Sequence, residues 1–421
     1  MNRKPRILLI SDNAWWIIGE MGKQIIARFS DKYDFYFLTE GILPRRPDLL
    51  KALVSEVDAI HCISYETIVF LRDFSRKTLP PISTWIHHVT EWNADMQLAV
   101  EMSSAVTTCT SGWKEYLDER IEGRIPVTVV PHGVDADFFR RRIVDQRRFG
   151  IPPGRFVLGF IGKKGSDLEF GRKGTGVLLD VVRKAAAQLP DLHVVMGGPD
   201  WEREIDELRA LGVSVSSTGY IRKVDVPALY SALDVYLLTS RVEGGPCTVL
   251  EAMACETAVV STRVGAVPEW IVDGVNGYSA DVDDTEGLLS AVVELGRSPE
   301  KRIAIGQEAR STAIQRPWRV ALSPLEGVYD DLIQQRRWTS APTSGPSWMT
   351  DPDGLLRRVC AADAMLTVYG RVRNGKMSIT KGIGMLHEML SGQPIFDVVK
   401  GAAMIRRCSA YVNDGTYTQI P

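Results

Sequence analysis

The sequence predicts an α/β protein of two Rossmann-like domains followed by an unassigned extension, and three observations carry that reading. The chain has 421 residues, more than one hydrophobic core usually organises, so two domains are expected. Short apolar runs alternate with stretches of helical spacing as far as about Ile333, the pattern of parallel strands joined by helices. Several of those runs stop at glycines and are followed at once by a helix start, the kind of turn at which open α/β sheets bind ligands.

Composition narrows the function classes. With 45% hydrophobic and 24% charged residues the chain reads as an ordinary soluble protein, and a net charge of -2 argues against nucleic-acid binding through bulk charge. Six cysteines (Cys62, Cys109, Cys247, Cys255, Cys360, Cys408) include no Cys-x-x-Cys pair, which disfavours both a zinc site and a disulfide framework and fits a reducing compartment. The first apolar run, RILLISDN, breaks after four apolar residues, short of a signal peptide or membrane span. It is read as the first strand, and the protein as cytoplasmic.

The first domain, residues 1–140, opens with that strand (Arg6 to Ile10), a loop holding Gly19 and Gly22, and a helix over Lys23 to Phe29. The glycines lack G-x-G-x-x-G spacing, so a dinucleotide fingerprint is absent. Strands are expected at Tyr33 to Thr39, Val57 to Ser64 and Pro81 to His88, the last ending on paired histidines that period-two alternation would send to opposite faces. Ser103 to Leu117 reads as strand, turn and helix start, and Val127 to Phe139 as a strand with a turn at Pro131 and Gly133; His132 is read as structural. A linker over 141–154 follows: the run FRRRIVDQRRFGIPPG, from Phe139, carries five arginines and ends in Pro-Pro-Gly, and its charge is read as solvated.

The second domain, 155–320, begins with a buried strand stopping at Gly162 and Lys163, then an amphipathic helix over Arg172 to Ala186. Leu192 to Gly198 is a strand ending in two glycines, and strand, turn, helix and strand run on to DVYLLTS (Asp234 to Ser240). Next comes RVEGGPCTVLEAMACETAVVSTRV. Glu243, Gly244, Gly245 and Pro246 sit poorly in a helix, whereas Thr248 to Ala254 suits one, so the helix amides and positive dipole end point into the loop and a phosphate is their natural occupant. Glu243 and Glu251 flank that amide cluster, and acids beside an anion site suit sugar hydroxyls better than a diphosphate. Asp135-Ala136-Asp137 and Asp281-Val282-Asp283 spell Asp-x-Asp but are read as surface loops, so no metal site is assigned.

Glu-x7-Glu followed by Ala-Met-Ala resembles the signature of retaining, nucleotide-sugar-dependent glycosyltransferases of the GT-B architecture, a group that includes glycogen synthases, sucrose synthases and phosphatidylinositol mannosyltransferases. The resemblance implies two domains facing a cleft, the first for the acceptor and the second for a UDP- or GDP-sugar donor, with no metal or other cofactor. It implies catalytic roles for His87, in preference to His88, and for Glu243. Lys163 and Lys173, with Arg172 assisting, would grip the donor diphosphate, Lys163 standing where arginine is usual. Gly19 would lie across the cleft from that diphosphate, Tyr220 and Ile221 would contact the base, and Gly244, Gly245, Pro246, Cys247 and Thr248 would supply the amide cluster. Glu251 would hold the ribose, and Gly265, Ala266 and Glu269 resemble a sugar-side loop with one glycine replaced.

The resemblance ends with a helix over 321–337 that packs back on the first domain. Residues 338–421 carry nine Lys plus Arg and six Asp plus Glu, hence +3, with helices expected over Leu355 to Tyr369 and Met385 to Leu390. Docking on the catalytic domains is one reading of this extension; a peripheral contact with the inner membrane face or with a protein is the other. The expected partners are a nucleotide-sugar donor and a glycan or lipid-linked acceptor. A nucleotide-sugar epimerase, a phosphorylase and a non-catalytic scaffold are the rival functions.

Overall fold

The computed structural model describes residues 3–162, 171–337, 359, 360, 362–364 and 366. Lys163, most of the extension and the helix expected over Met385 to Leu390 lie outside the described residues. The chain divides into two compact units, one of residues 1–84 with 332–421 and the other of residues 85–331.

The first unit is built on parallel strands β1 (Arg6–Ser11), β2 (Asp34–Thr39), β3 (Ala59–Cys62) and β4 (Ile82–Trp85), in the order β2-β1-β3-β4, with helices α1 (Ile17–Phe29) and α2 (Pro47–Glu56) between them. In β1, Ile7, Leu8, Leu9 and Ile10 are fully buried, as a strand covered on both faces requires. The register pairs Ile7 with Phe35 of β2 and with Ala59 of β3. Helix α1 starts earlier than the sequence pattern implies, and this corrects the reading of Gly19 and Gly22 as loop residues: both lie inside it. The Asn13 side chain accepts from the amides of Trp15 (2.8 Å) and Trp16 (2.7 Å), which turns the chain directly into the helix. A Cβ on Gly19 would strike the backbone of Asn13 and Ala14, and one on Gly22 would lie 2.5 Å from the Phe37 ring. Close packing explains both glycines.

The described part of the extension belongs to this unit and is helical. Val359, Cys360, Asp363 and Ala364 are buried, and the Asp363 carboxylate accepts from the Ala14 amide (2.8 Å) and the Thr39 hydroxyl (3.0 Å). Docking is therefore what this piece does.

The second unit begins with α3 (Ala94–Met102), β5 (Ala105–Thr108), α4 (Ser111–Ile121) and β6 (Val127–Val129), in which β5 and β6 pair in parallel. Its main sheet has the parallel order β12-β11-β10-β7-β8-β9, formed by β7 (Phe156–Ile161), β8 (Leu192–Gly197), β9 (Val215–Gly219), β10 (Val235–Leu238), β11 (Ala258–Thr262) and β12 (Tyr278–Ala280). The helices in chain order are α5 (Thr175–Ala186), α6 (Glu202–Ala210), α7 (Val226–Ala232), α8 (Cys247–Ala254), α9 (Val267–Trp270), α10 (Thr285–Arg297), α11 (Pro299–Ala313), α12 (Trp318–Ala321) and α13 (Pro324–Arg337), the last running on past residue 331.

Alternation along the strands fills two separate cores in this sheet. Leu158, Val194, Leu237 and Val260 pack on one face with Leu178 and Val182 of α5 and Leu288 and Val292 of α10. Val157, Val195, Tyr236 and Val259 pack on the other with Val249, Leu250 and Met253 of α8 and Ala309 of α11. Both faces being covered explains why the strands read as continuous apolar runs. At the carboxyl edge, the Gly162 amide donates to Gly197 (2.9 Å) and the Gly198 amide to Gly219 (3.1 Å), lacing together the ends of β7, β8 and β9. Among the described residues no helix is long and apolar enough to cross a membrane.

Candidate active site

The loop from Thr239 to Pro246, between β10 and α8, organises the polar residues of the second unit. Glu243 is its centre, with a side chain only 12% exposed. Lys173 Nζ lies 2.7 Å from Oε1, Arg172 reaches Oε2 at 3.5 Å, and the Ser240 hydroxyl donates to Oε1 at 2.8 Å. Burial alone would raise the Glu243 carboxyl, but Lys173, Arg172 and His88 together hold it below the usual carboxylate range. The ionised Glu243 thus faces two cations and leaves one positive charge over.

Both cations are placed by the backbone. The Arg241 amide donates to the Arg172 carbonyl (2.7 Å) and the Thr239 hydroxyl to the Lys173 carbonyl (3.0 Å). Gly174 follows at φ 62°, where a Cβ would run into the Thr239 carbonyl. Only glycine fits that approach at that φ, and it lets α5 begin one residue later.

The charges of this group act on His88. Burial first, then the like charge of Arg172 and Lys173, push its imidazole down to about 4 against the opposing pull of Glu243, so it is neutral at pH 7. Strand β4 ends at Trp85, so both histidines lie beyond the pleat and alternation does not govern where they point. His87 instead joins a second cluster. Its ring stacks on Trp85 with centroids 4.9 Å apart, and its Nδ1 is 3.1 Å from Nε2 of His132. His132 Nδ1 in turn bonds the Gly245 carbonyl, which requires that nitrogen to carry the proton and Nε2 to accept from His87 Nδ1–H. The Cys109 thiol donates to the His87 carbonyl at 3.0 Å. Burial pushes His132 down to about 4 and the Cys109 thiol well up, so these two groups are neutral at pH 7.

His87, Cys109 and His132 have metal-ligand chemistry, and their ligand atoms lie within 4.8 Å of one another. Each polar hydrogen is already committed within the network, which therefore acts as a packing lock on the loop. Gly244 and Gly245 complete the lock. A Cβ on Gly245 would lie 2.7 Å from His132 Nδ1, and one on Gly244 would lie 2.8 Å from Cys109 Sγ. From the other side the Ala266 amide donates to the Gly244 carbonyl at 2.8 Å, and Trp113 Nε1 donates to the Glu243 carbonyl at 2.9 Å.

Pro246 caps α8 without any side-chain bond to its first amides, and Cys247 and Thr248 begin its first turn. Glu251 is the fifth residue of α8, just over one turn in, and accepts the Tyr230 hydroxyl at 3.0 Å. Tyr220 is exposed and Ile221 half-buried, next to Gly219 at the end of β9. Gly19 belongs to the first unit. The two Asp-x-Asp sequences are engaged elsewhere: Asp135 closes a turn through the amides of Asp137 and Phe138, while Asp281 and Asp283 pair with Arg263 and Arg241. Cys109 and Trp113 escaped the sequence reading, because nothing local in TTCTSGW marks residues that contact a loop 130 or more positions away.

Two parallel-sheet α/β domains with these polar strand ends define the GT-B class of fold. HepE of Anabaena in complex with UDP-glucose aligns over 77% of this chain and 99% of its own, with a TM-score of 0.66 at 18% identity. Sucrose-phosphate synthase of Thermosynechococcus elongatus aligns over 79% and 100%, with a TM-score of 0.65 at 17% identity. Residues 155–298 match the family described as Glycosyl transferases group 1. The D-inositol 3-phosphate glycosyltransferase of Corynebacterium jeikeium is 30% identical over 226 residues, 49% of this chain and 52% of that protein. The chain spans about half the length of the curated relatives it matches first.

Proposed function

We propose that the protein is a retaining glycosyltransferase that moves a sugar from a nucleoside diphosphate to a hydroxyl of a glycan or lipid-linked acceptor, on the cytoplasmic side of the cell. The observation that carries this reading is the cluster of Arg172, Lys173, His88 and the open end of α8 around one ionised glutamate. The difficult event in such a transfer is departure of the diphosphate. The surplus positive charge and the amides from Gly245 to Thr248 are suited to stabilise it without a metal ion. Glu243 then turns its carboxylate to donor-sugar hydroxyls as the ring gains positive charge, and neutral His88 can accept or donate one hydrogen bond beside it. We prefer His88 to His87 for this role because the charges of Arg172, Lys173 and Glu243 act on His88, whereas His87 Nδ1 is engaged by His132. Tyr220 and Ile221 for the base, Glu251 for the ribose, and Lys163 for the diphosphate complete the proposed donor site.

Relatives support the substrate class. One is named as a GDP-mannose-dependent phosphatidylinositol monomannoside mannosyltransferase of Mycolicibacterium smegmatis, 30% identical over 208 residues, and another as a lipopolysaccharide core mannosyltransferase of Rhizobium meliloti, 26% identical over 256. The test is a panel of UDP- and GDP-sugars read by thermal shift, followed by product analysis with labelled donor. A donor at a hundred times its Kd should stabilise the protein by about 2.7 kcal/mol. A panel without any shift, and no release of nucleotide from any donor, would overturn the proposal; release with an isomerised or phosphorylated sugar would identify an epimerase or phosphorylase.

A further inference from the structure

We infer that the strap after β6, together with the turn after β9, is a docking surface for an anionic lipid bilayer. The strap runs through Arg140, Arg141, Arg142, Ile143 and Val144 without regular structure, yet it is fixed to the second unit: the Arg142 amide donates to the Ser231 hydroxyl at 3.0 Å and Gln146 Nε2 to the Ala232 carbonyl at 2.9 Å. An extended chain alternates its side chains. Val144 accordingly packs on the hydrophobic core, while Ile143 points outward with a relative exposure of 108%. Nothing in the packing calls for an isoleucine at the outward position between arginines.

The turn after β9 adds a second apolar tip. Val224 is 56% exposed, and its carbonyl accepts from the Arg142 guanidinium at 3.1 Å, which joins the two segments into one surface. Arg142 and Lys223 both lie over the Phe138 ring, at 5.7 and 5.9 Å. Residues 139–150 hold five arginines and one aspartate, and residues 220–226 hold Arg222 and Lys223 against Asp225, so the surface carries +4 and +1, or +5, in a chain whose total is -2. The acids that face it are accounted for: Asp145 pairs with Arg147, and Asp225 with Arg148 and Arg222. Arg140, Arg141 and Arg142 have no carboxylate in ion-pair range among the described residues; Arg141 and Arg142 bond only carbonyls.

Basic side chains around two protruding aliphatic tips suit a surface of anionic headgroups over hydrocarbon. A soluble polyanion would use the arginines and gain nothing from Ile143 or Val224. The arginines draw the protein to the headgroups and the tips enter the acyl boundary, in the manner of other peripheral proteins. The inference does not depend on which sugar the protein transfers.

The test is co-sedimentation of the full chain with vesicles of phosphatidylcholine and phosphatidylglycerol, three to one, against phosphatidylcholine alone, at low and high salt. Binding is expected only with phosphatidylglycerol and should weaken as salt rises. Arg140→Ala and Arg141→Ala should each weaken it about fivefold, the factor that roughly 1 kcal/mol per basic residue gives. Ile143→Asp should weaken it further and Ile143→Leu preserve it, with the melting temperature unchanged in all four variants. Failure of the unmodified chain to sediment with phosphatidylglycerol overturns the inference, as does equal sedimentation of the arginine variants, which would place binding in the basic extension. If Ile143→Asp binds like the parent and inorganic polyphosphate competes fully, the surface takes a soluble polyanion and the lipid assignment is wrong.

Discussion

Two polar clusters, one buried and one half-buried, share the loop from Glu243 to Gly245, and they are built on opposite principles. One side holds His87, Cys109 and His132, with His132 and Cys109 neutral and each donor matched to an acceptor. The other holds Glu243 between Lys173 and Arg172 with His88 nearby, ionised and with more positive than negative charge. A matched network adds rigidity, because moving one member breaks its neighbour's bond. A charged one with a surplus can exchange partners when an anion arrives. The comparison suggests a division of labour in which the first cluster holds the loop and the second uses it.

The largest effect should come from the charged side. Glu243→Gln should lower turnover roughly ten- to a thousandfold, as loss of a charged contact worth about 1.4 to 4 kcal/mol implies, with the melting temperature and free-nucleotide affinity retained because both cations remain. A variant that instead melted early, with normal turnover in its folded fraction, would make Glu243 a structural residue and dissolve the contrast. His132→Ala should behave in the opposite way. It strips the Gly245 carbonyl of its donor in a buried place, so stability should fall by about 1 to 3 kcal/mol in urea unfolding while nucleotide affinity per folded molecule holds. His88→Ala should then lose turnover with little loss of stability, and His87→Ala the reverse; equal behaviour of the two would refute the assignment.

Glu251→Gln should have a smaller effect, weakening UDP or GDP by roughly tenfold through loss of one charged hydrogen bond, measured by calorimetry. Acidity should weaken the lock as well. His132 and His88 are held at about 4 when folded, below the ordinary value of 6.5, so the unfolded chain binds more protons between those limits. Stability from this source is complete above pH 6.5 and falls as the pH drops toward 4, and His132→Ala should flatten that part of the curve. The smallest expected effect is none: EDTA should leave transfer unchanged, and loss of activity restored by manganese would disprove the metal-free account of diphosphate departure.

Much of this was legible in the residues alone. Continuous apolar runs such as Phe156–Ile161 and Val235–Leu238 announce strands buried on both faces, because only such strands can be apolar at every position. Glu243-Gly-Gly-Pro ahead of a helix-forming run marks an anion-ready βα turn by local backbone chemistry. Local rules also place Asp281 and Asp283 on the surface, where they pair with arginines.

Other properties depended on the packing of segments distant in the chain. Gly244 and Gly245 are legible as loop residues, but their need for the absence of a side chain comes from Cys109 and His132, more than 110 positions away. Gly19 reads as a loop glycine because propensity cannot anticipate a helix started by the Asn13 side chain. Alternation does not say where His87 and His88 point, since β4 stops at Trp85, and His87 is held by His132, 45 positions away. Sequence thus determined which elements form and where the glycine-rich turn before α8 falls, because those follow from contacts between near neighbours; the charge state and partner of each polar group were decided by the tertiary structure, because burial and Coulomb interaction act through space between residues that the chain order keeps apart.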